Sequence, residues 1–207
     1  MKACVLVVLV GCGFTGIAGS GNAKSEVRQV GTFSAIALTG AIDADIAIAP
    51  ESHVEISGDD NLVPLITTEL HGDKLEIGTH QSMRPKLPLV ANVTAPQISA
   101  VHVSGSGKIT LHGMRGDSLA ISVSGSGDVR GDGTVHQLTA KVNGSSDLEL
   151  DQLAAERASV TISGSGDAKL AVSKSLDVTI SGSGDVTYRG DPEVTKHVSG
   201  SGSIIKR

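Results

Sequence analysis

"SVSGSGDVRG", Ser122 to Gly131, is the stretch whose reading decides the fold. Two serine-glycine pairs and an aspartate lie between short segments that alternate apolar and polar residues. Near-copies of this centre return along the chain. They are SGSGK at Ser104, SGSGD at Ser124, NGSSD at Asn143, SGSGD at Ser163, SGSGD at Ser181 and SGSGS at Ser199, at intervals of 20, 19, 20, 18 and 18 residues. A period this regular is the signature of a solenoid, in which each repeat stacks on its neighbours.

The flanks say what each repeat contains. LAISV (Leu119 to Val123), LTAKV (Leu138 to Val142) and LDVTI (Leu176 to Ile180) precede the motif, and KITL, DLEL, DAKL and DVTY follow it. Alternation with period two sends one set of side chains inward and the other outward. At about 3.3 Å per residue, a coil of this length has to fold back as two or three short strands, and successive coils then pair in parallel about 4.8 Å apart. Leu119, Ile121 and Val123 are inward residues stacked on their equivalents above and below. The expected fold is all-β: a parallel β-helix with 18–20 residues per coil, right-handed by the crossover preference.

Ser-Gly-Ser-Gly is then corner chemistry. Glycine reaches positive φ without a Cβ clash, and serine bonds backbone groups in turns. The residue after the corner is Lys108, Asp128, Asp147, Asp167, Asp185 or Ser203 in successive repeats. Carboxylates in adjacent ladder positions repel one another. Facing outward, water and salt relieve them; converging, they form a cation ladder of Asp128, Asp147, Asp167 and Asp185 with Ca²⁺ as its fitting ion. The motif resembles the calcium-binding GGxGxD nonapeptide, but with one copy per coil and Ser for the first Gly. Exposed corner aspartates with no cofactor are the expectation.

The chain of 207 residues carries a net charge of -5, which points away from nucleic acid as a partner. Its three aromatics are Phe14, Phe33 and Tyr188, against 26 glycines and no tryptophan. The core therefore has to come from Val, Ile, Leu and Ala in thin, regular layers. Lys2, the apolar run Ala3 to Val10 and the small residues before Lys24 read as an export signal over 1–23, removed near Ala23. The run is too short for a membrane-spanning helix of about 20 residues. Leu9-Val10-Gly11-Cys12 resembles a bacterial lipobox, which makes Cys12 the lipidation candidate and a lipid anchor the one expected membrane contact. Cys4 and Cys12 both fall in this leader, so the mature chain is expected to lack disulfides and thiolate chemistry.

Residues 24–100 are strand-rich but aperiodic, with AIALTGAIDADIAI (Ala35 to Ile48), HVEISGDD (His53 to Asp60), KLEIG (Lys74 to Gly78) and LVANVTAP (Leu89 to Pro96) separated by Gly- and Pro-containing turns. We expect an irregular N-terminal cap, with Leu38-Thr39-Gly40-Ala41-Ile42 mimicking the later corners, ahead of repeat coils over 101–207.

The order VGTFSAIALTGAIDADIAI, VEISGDDNLVPLITTEL, GDKLEIG, the SGSGD units, VTYRGDPEV and VSGSGSIIK resembles the head GIN domain family of auto-transporter adhesins, from Glu26 to Arg207. The resemblance implies a β-helix and an exported protein of the bacterial envelope, in the periplasm or at the outer membrane and cell surface. It carries no catalytic residues to transfer.

The rest of the sequence agrees with a protein that is not an enzyme. Its seven histidines, His53, His71, His80, His102, His112, His136 and His197, form no HExxH or paired-ligand spacing. Asp128 and Asp147 on adjacent coils could supply the carboxyl pair that glycosidases place about 5 to 9 Å apart, but the coils carry no long insertions and no ring other than Tyr188. The expected activity is adhesion or binding: a rigid rod presenting Ser, Thr and Asp faces to a surface, a polysaccharide or an envelope partner. The alternatives are a periplasmic structural or stress-related component and a cation-stabilised or carbohydrate-binding β-helix. The oligomeric state is not legible.

Overall fold

The computed structural model describes residues 16–207. The apolar run, the lipobox-like stretch with Cys12 and thus most of the expected export signal lie outside the described residues. What is described is a parallel β-solenoid of about 5 turns, the fold that the repeat predicts. Each SGSG corner joins the strand before it to the strand after it, so one set of strands builds one wall and the other set builds the next. On the first wall Ala35–Gly40 pairs in parallel with Ala100–Gly105, which pairs with the 120–125 segment, and the ladder continues through 137–144, 157–164 and 175–182 to Glu193–Gly200. The register is strict at the corner: Gly40, Gly105, Gly125, Gly144, Gly164, Gly182 and Gly200 stand one above another.

The inward columns are the apolar ones. Ile36, Val101, Ile121, Ala140, Val160 and Val178 form one, and Leu38, Val103, Val123, Val142, Ile162 and Ile180 the next, all buried. The second wall adds Ile109, Val129, Leu148, Ala168 and Val186. Branched aliphatic side chains suit this arrangement, because each packs on a near-copy of itself a coil away and needs few rotamers to do so.

Register shifts fall at the far corner of the coils, between Leu111 and Met114, Arg130 and Asp132, and Leu150 and Ala154. These bulges absorb the difference between 20-residue and 18-residue repeats, which lets the SGSG corner stay aligned.

Before the repeats, antiparallel strands take over. Asp43–Ile48 pairs in parallel with Val90–Ala95, but His53–Asp59 runs antiparallel to Val90–Ala95 and to Ala23–Arg28. Thr67–His71 and Lys74–Gly78 make a hairpin whose second strand extends the first wall in parallel with Ala35–Gly40. A 3-10 turn, Val63–Leu65, precedes the hairpin. The solenoid is thus closed at this end by a hairpin, not left as an open parallel edge.

At the other end the register puts Lys196 on Val178 and Lys206 on Tyr188, both positions that point inward. Both lysines are exposed, and a long side chain at such a position can cover a core with its stem without extending it. Lys206 is held there by Asp191.

Candidate functional site

The corner motif is built by stacking before it is anything else. Gly164 has φ of +139°, and a Cβ on it would lie 2.0 Å from the carbonyl oxygen of Gly144 one coil below. The second glycine of the motif is equally confined, since a Cβ on Gly184 would lie 2.1 Å from Gly166 O. In the divergent corner, Ser146 takes the place of that second glycine. It is fully buried and its Oγ donates to Gly125 O at 3.2 Å.

The aspartates after the corner form a ladder of a kind that the sequence does not reveal. Asp128 Oδ1 accepts from the backbone N–H of Asp147 at 3.2 Å, Asp147 Oδ1 from Asp167 N–H at 3.0 Å, and Asp167 Oδ1 from Asp185 N–H at 2.8 Å. Asp185 Oδ1 ends the row on Ser203, with the N–H at 2.8 Å and the hydroxyl at 2.7 Å. Asp43 starts it by accepting from Lys108 N–H at 2.7 Å. Each carboxylate ties its corner to the next coil, and a charge-assisted bond to a backbone amide offsets the repulsion between neighbours. The Ser203 hydroxyl and amide hold the Asp185 carboxyl below the usual carboxylate range. Lys108 has no acceptor to give the Asp128 amide, so the row is broken at that one rung.

Among the described residues, no three His, Cys, Asp or Glu side chains converge as a metal ion would require. All seven histidines are exposed. Three of them meet carboxylates at the surface: His71 with Glu69 at 3.3 Å, His112 with Asp132 at 3.3 Å and His136 with Glu156 at 3.5 Å.

The two walls present different outer surfaces. On the second wall the outward column runs Thr110, Arg130, Glu149, Lys169 and Thr187. Its charges satisfy one another: Arg130 Nε lies 2.5 Å and Lys169 Nζ 3.4 Å from the Glu149 carboxylate. A similar set joins Glu156 to Lys174 at 2.7 Å, and Lys174 holds the Glu156 carboxyl below its ordinary value.

The outward face of the first wall is instead rich in hydroxyls. One column is Ser104, Ser124, Asn143, Ser163, Ser181 and Ser199; the next carries Ser122, Lys141, Thr161 and Thr179 between His102 and His197; the third carries Thr139, Ser159, Asp177 and Thr195. Rows are about 4.8 Å apart between coils, and outward residues on one strand recur at about 6.6 Å. Each hydroxyl can both donate and accept. Short side chains of this type lose little rotamer freedom when a ligand covers them.

An open groove of about 340 Å³ lies at the far corner, lined by Val135, Ala154, Ala155, Ala171, Val172 and, at its rim, Glu156 and Arg189. It holds a single carboxylate and small apolar side chains, which is not the paired-carboxyl arrangement of glycosidases.

Comparison with known proteins adds the following. A family model described as "Putative auto-transporter adhesin, head GIN domain" matches residues 32–192. Among solved structures, a "putative adhesin" from Bacteroides fragilis is similar at a TM-score of 0.75 and 22% identity, covering 93% of this chain and 100% of that one. A "putative lipid binding protein" from Parabacteroides distasonis gives 0.63 and 21%, covering 92% and 99%. A "putative adhesin" from Parabacteroides merdae gives 0.58 and 18%, covering 93% and 99%. No protein of curated function matches the chain. At these identities the structural neighbours speak for the fold, which they share over nearly the whole chain.

Proposed function

Because the chain belongs to the head GIN domain family of auto-transporter adhesins, we propose that it is a non-catalytic binding module of the bacterial envelope whose working surface is the hydroxyl-rich outer face of the first wall. The observation that carries this reading is the contrast between the walls. Charges on the second are paired among themselves, whereas the first repeats hydroxyls at fixed spacing over coil after coil. A polymer with its own regular hydroxyls, such as a polysaccharide, is the ligand class that such a grid fits. Each contact is weak, and repetition along a rigid strand ladder supplies affinity without a deep pocket.

Export and anchorage belong to the same proposal. They are supported by the apolar run after Lys2 and by Leu9-Val10-Gly11-Cys12, with Cys12 the residue that would carry lipid.

Two measurements test the proposal. The purified chain is compared with its Thr161→Arg variant, which sets a second long cation beside Lys141 in the middle of the face, for binding to immobilised bacterial and host polysaccharides. Binding by the parent and loss in the variant is the expected result; equal binding by both removes the face from consideration. In intact cells, a protease that removes a tag placed after Arg207 while a periplasmic marker survives supports surface adhesion. Protection of the tag until the outer membrane is opened refutes surface adhesion and favours the periplasmic component.

A further inference from the structure

Residues 16–22 read in the sequence as the small-residue zone ahead of a cleavage site. In the structure they are a docked strap. Ile17–Ala18 pairs in parallel with Met83–Arg84, with Ile17 N–H donating to Ser82 O at 2.8 Å and Gly19 N–H to Arg84 O at 2.9 Å. Asn61 reaches over the strap from both sides: its Nδ2 donates to Ala18 O at 2.8 Å and its Oδ1 accepts from Ser20 N–H at 2.8 Å. Asp60 N–H donates to Asn22 O at 2.8 Å.

The centre of the contact is Asp59, whose side chain is fully buried. Its Oδ1 accepts from Gly21 N–H at 2.6 Å, and its Oδ2 accepts from Lys86 N–H at 2.9 Å and Leu87 N–H at 3.1 Å. Gly19 lies directly over the carboxylate; a Cβ there would stand 2.3 Å from Asp59 Oδ2. Gly21 has φ of +89°, a conformation that other residues adopt only under strain. The run of small residues is therefore accounted for by docking. Glycine at 19 lets the backbone reach the carboxylate, and glycine at 21 turns an amide onto it. A buried carboxylate keeps its charge by accepting several backbone hydrogen bonds, and one of the three comes from this strap.

From this geometry we infer that the bond cut during export lies before Gly16, so that Gly16–Asn22 stay on the mature chain as part of its fold. A cut near Ala23 would remove the Ile17–Ala18 strand, take the Gly21 amide from Asp59 and uncover the carboxylate. It would also strip the Asp60 amide and both ends of the Asn61 side chain of their partners. The inference rests on the proposed export of the chain, and the two fail in different ways.

The test uses the full chain with a tag after Arg207, expressed in a Gram-negative host, isolated from the envelope and read by intact mass and by hydrogen exchange. The expected result is a first residue at or before Gly16, with the Gly21, Lys86 and Leu87 amides exchanging slowly. A first residue after Gly16 overturns the inference. So does a retained segment whose Gly21 amide exchanges at the rate of an unstructured chain. A chain found only in the cytoplasm at its full 207-residue mass refutes export itself and takes the inference with it.

Discussion

Replacing Gly164 by alanine asks whether coil stacking or backbone conformation demands glycine at the corner, because the molecule contains its own control. Gly116 has φ of +143°, close to the +139° of Gly164, but a Cβ on Gly116 meets nothing within 4 Å. Alanine at 116 therefore carries only the strain of a backbone conformation that L-residues avoid, about 1–3 kcal/mol. Alanine at 164 carries the same strain and also drives its Cβ to 2.0 Å from Gly144 O, which forces the two coils apart at a cost of about 1–3 kcal/mol by analogy with overpacked cores. We expect Gly164→Ala to lose about 2–6 kcal/mol in all, against a typical domain stability of about 5–15 kcal/mol. Urea unfolding of the parent and both variants supplies the comparison. Because each coil touches only its neighbours, a wedge at 164 should also loosen the coils beyond it, and a lower m-value for that variant would report this. If Gly164→Ala and Gly116→Ala are equally destabilised, stacking does not dictate the corner and our account of the repeat fails.

Other consequences follow from the ladder and the ends. Lys108→Asn puts an amide oxygen beneath the Asp128 N–H and completes the row begun by Asp43, and should stabilise by about 0.5–1.5 kcal/mol; an unchanged urea midpoint would count against the ladder as a source of stability. The depressed carboxyls of Asp185 and Glu156 hold their contribution above the unfolded carboxylate value of about 4 and lose it as pH falls through the lower folded values. The melting temperature should thus be level near neutrality and drop below about pH 4, less steeply in Asp185→Asn; identical profiles for parent and variant would remove Asp185 from the account. Replacing Lys196 and Lys206 together by valine uncovers an apolar coil end with free edges. Sedimentation should show concentration-dependent association, and a variant that stays monomeric would show that the lysines are not what keeps coil ends apart.

Much of the fold was legible because a solenoid repeats its contacts. Aligning Ser104, Ser124, Asn143, Ser163, Ser181 and Ser199 already places each residue against its spatial neighbour, and alternation with period two says which side chain points inward. The family resemblance added the envelope context. The candidate face was legible only in outline, as Ser, Thr and Asp on the outside. The contrast between a self-paired wall and a hydroxyl wall needed the observed ion pairs of Glu149 and Glu156.

By itself the sequence determined the coil: its length, its corner, its aliphatic interior and its direction of stacking, all set by local sterics and a repeated pattern. Tertiary structure decided what the pattern could not express. The aspartates look like a row of like charges until the next coil's amides are seen on their oxygens. Gly19, Ser20 and Gly21 look expendable until Asp59, 38 residues beyond Gly21, is found holding that glycine's amide. The physical reason is plain in both: backbone amides carry no sequence identity, and contacts between aperiodic segments have no period by which to be recognised.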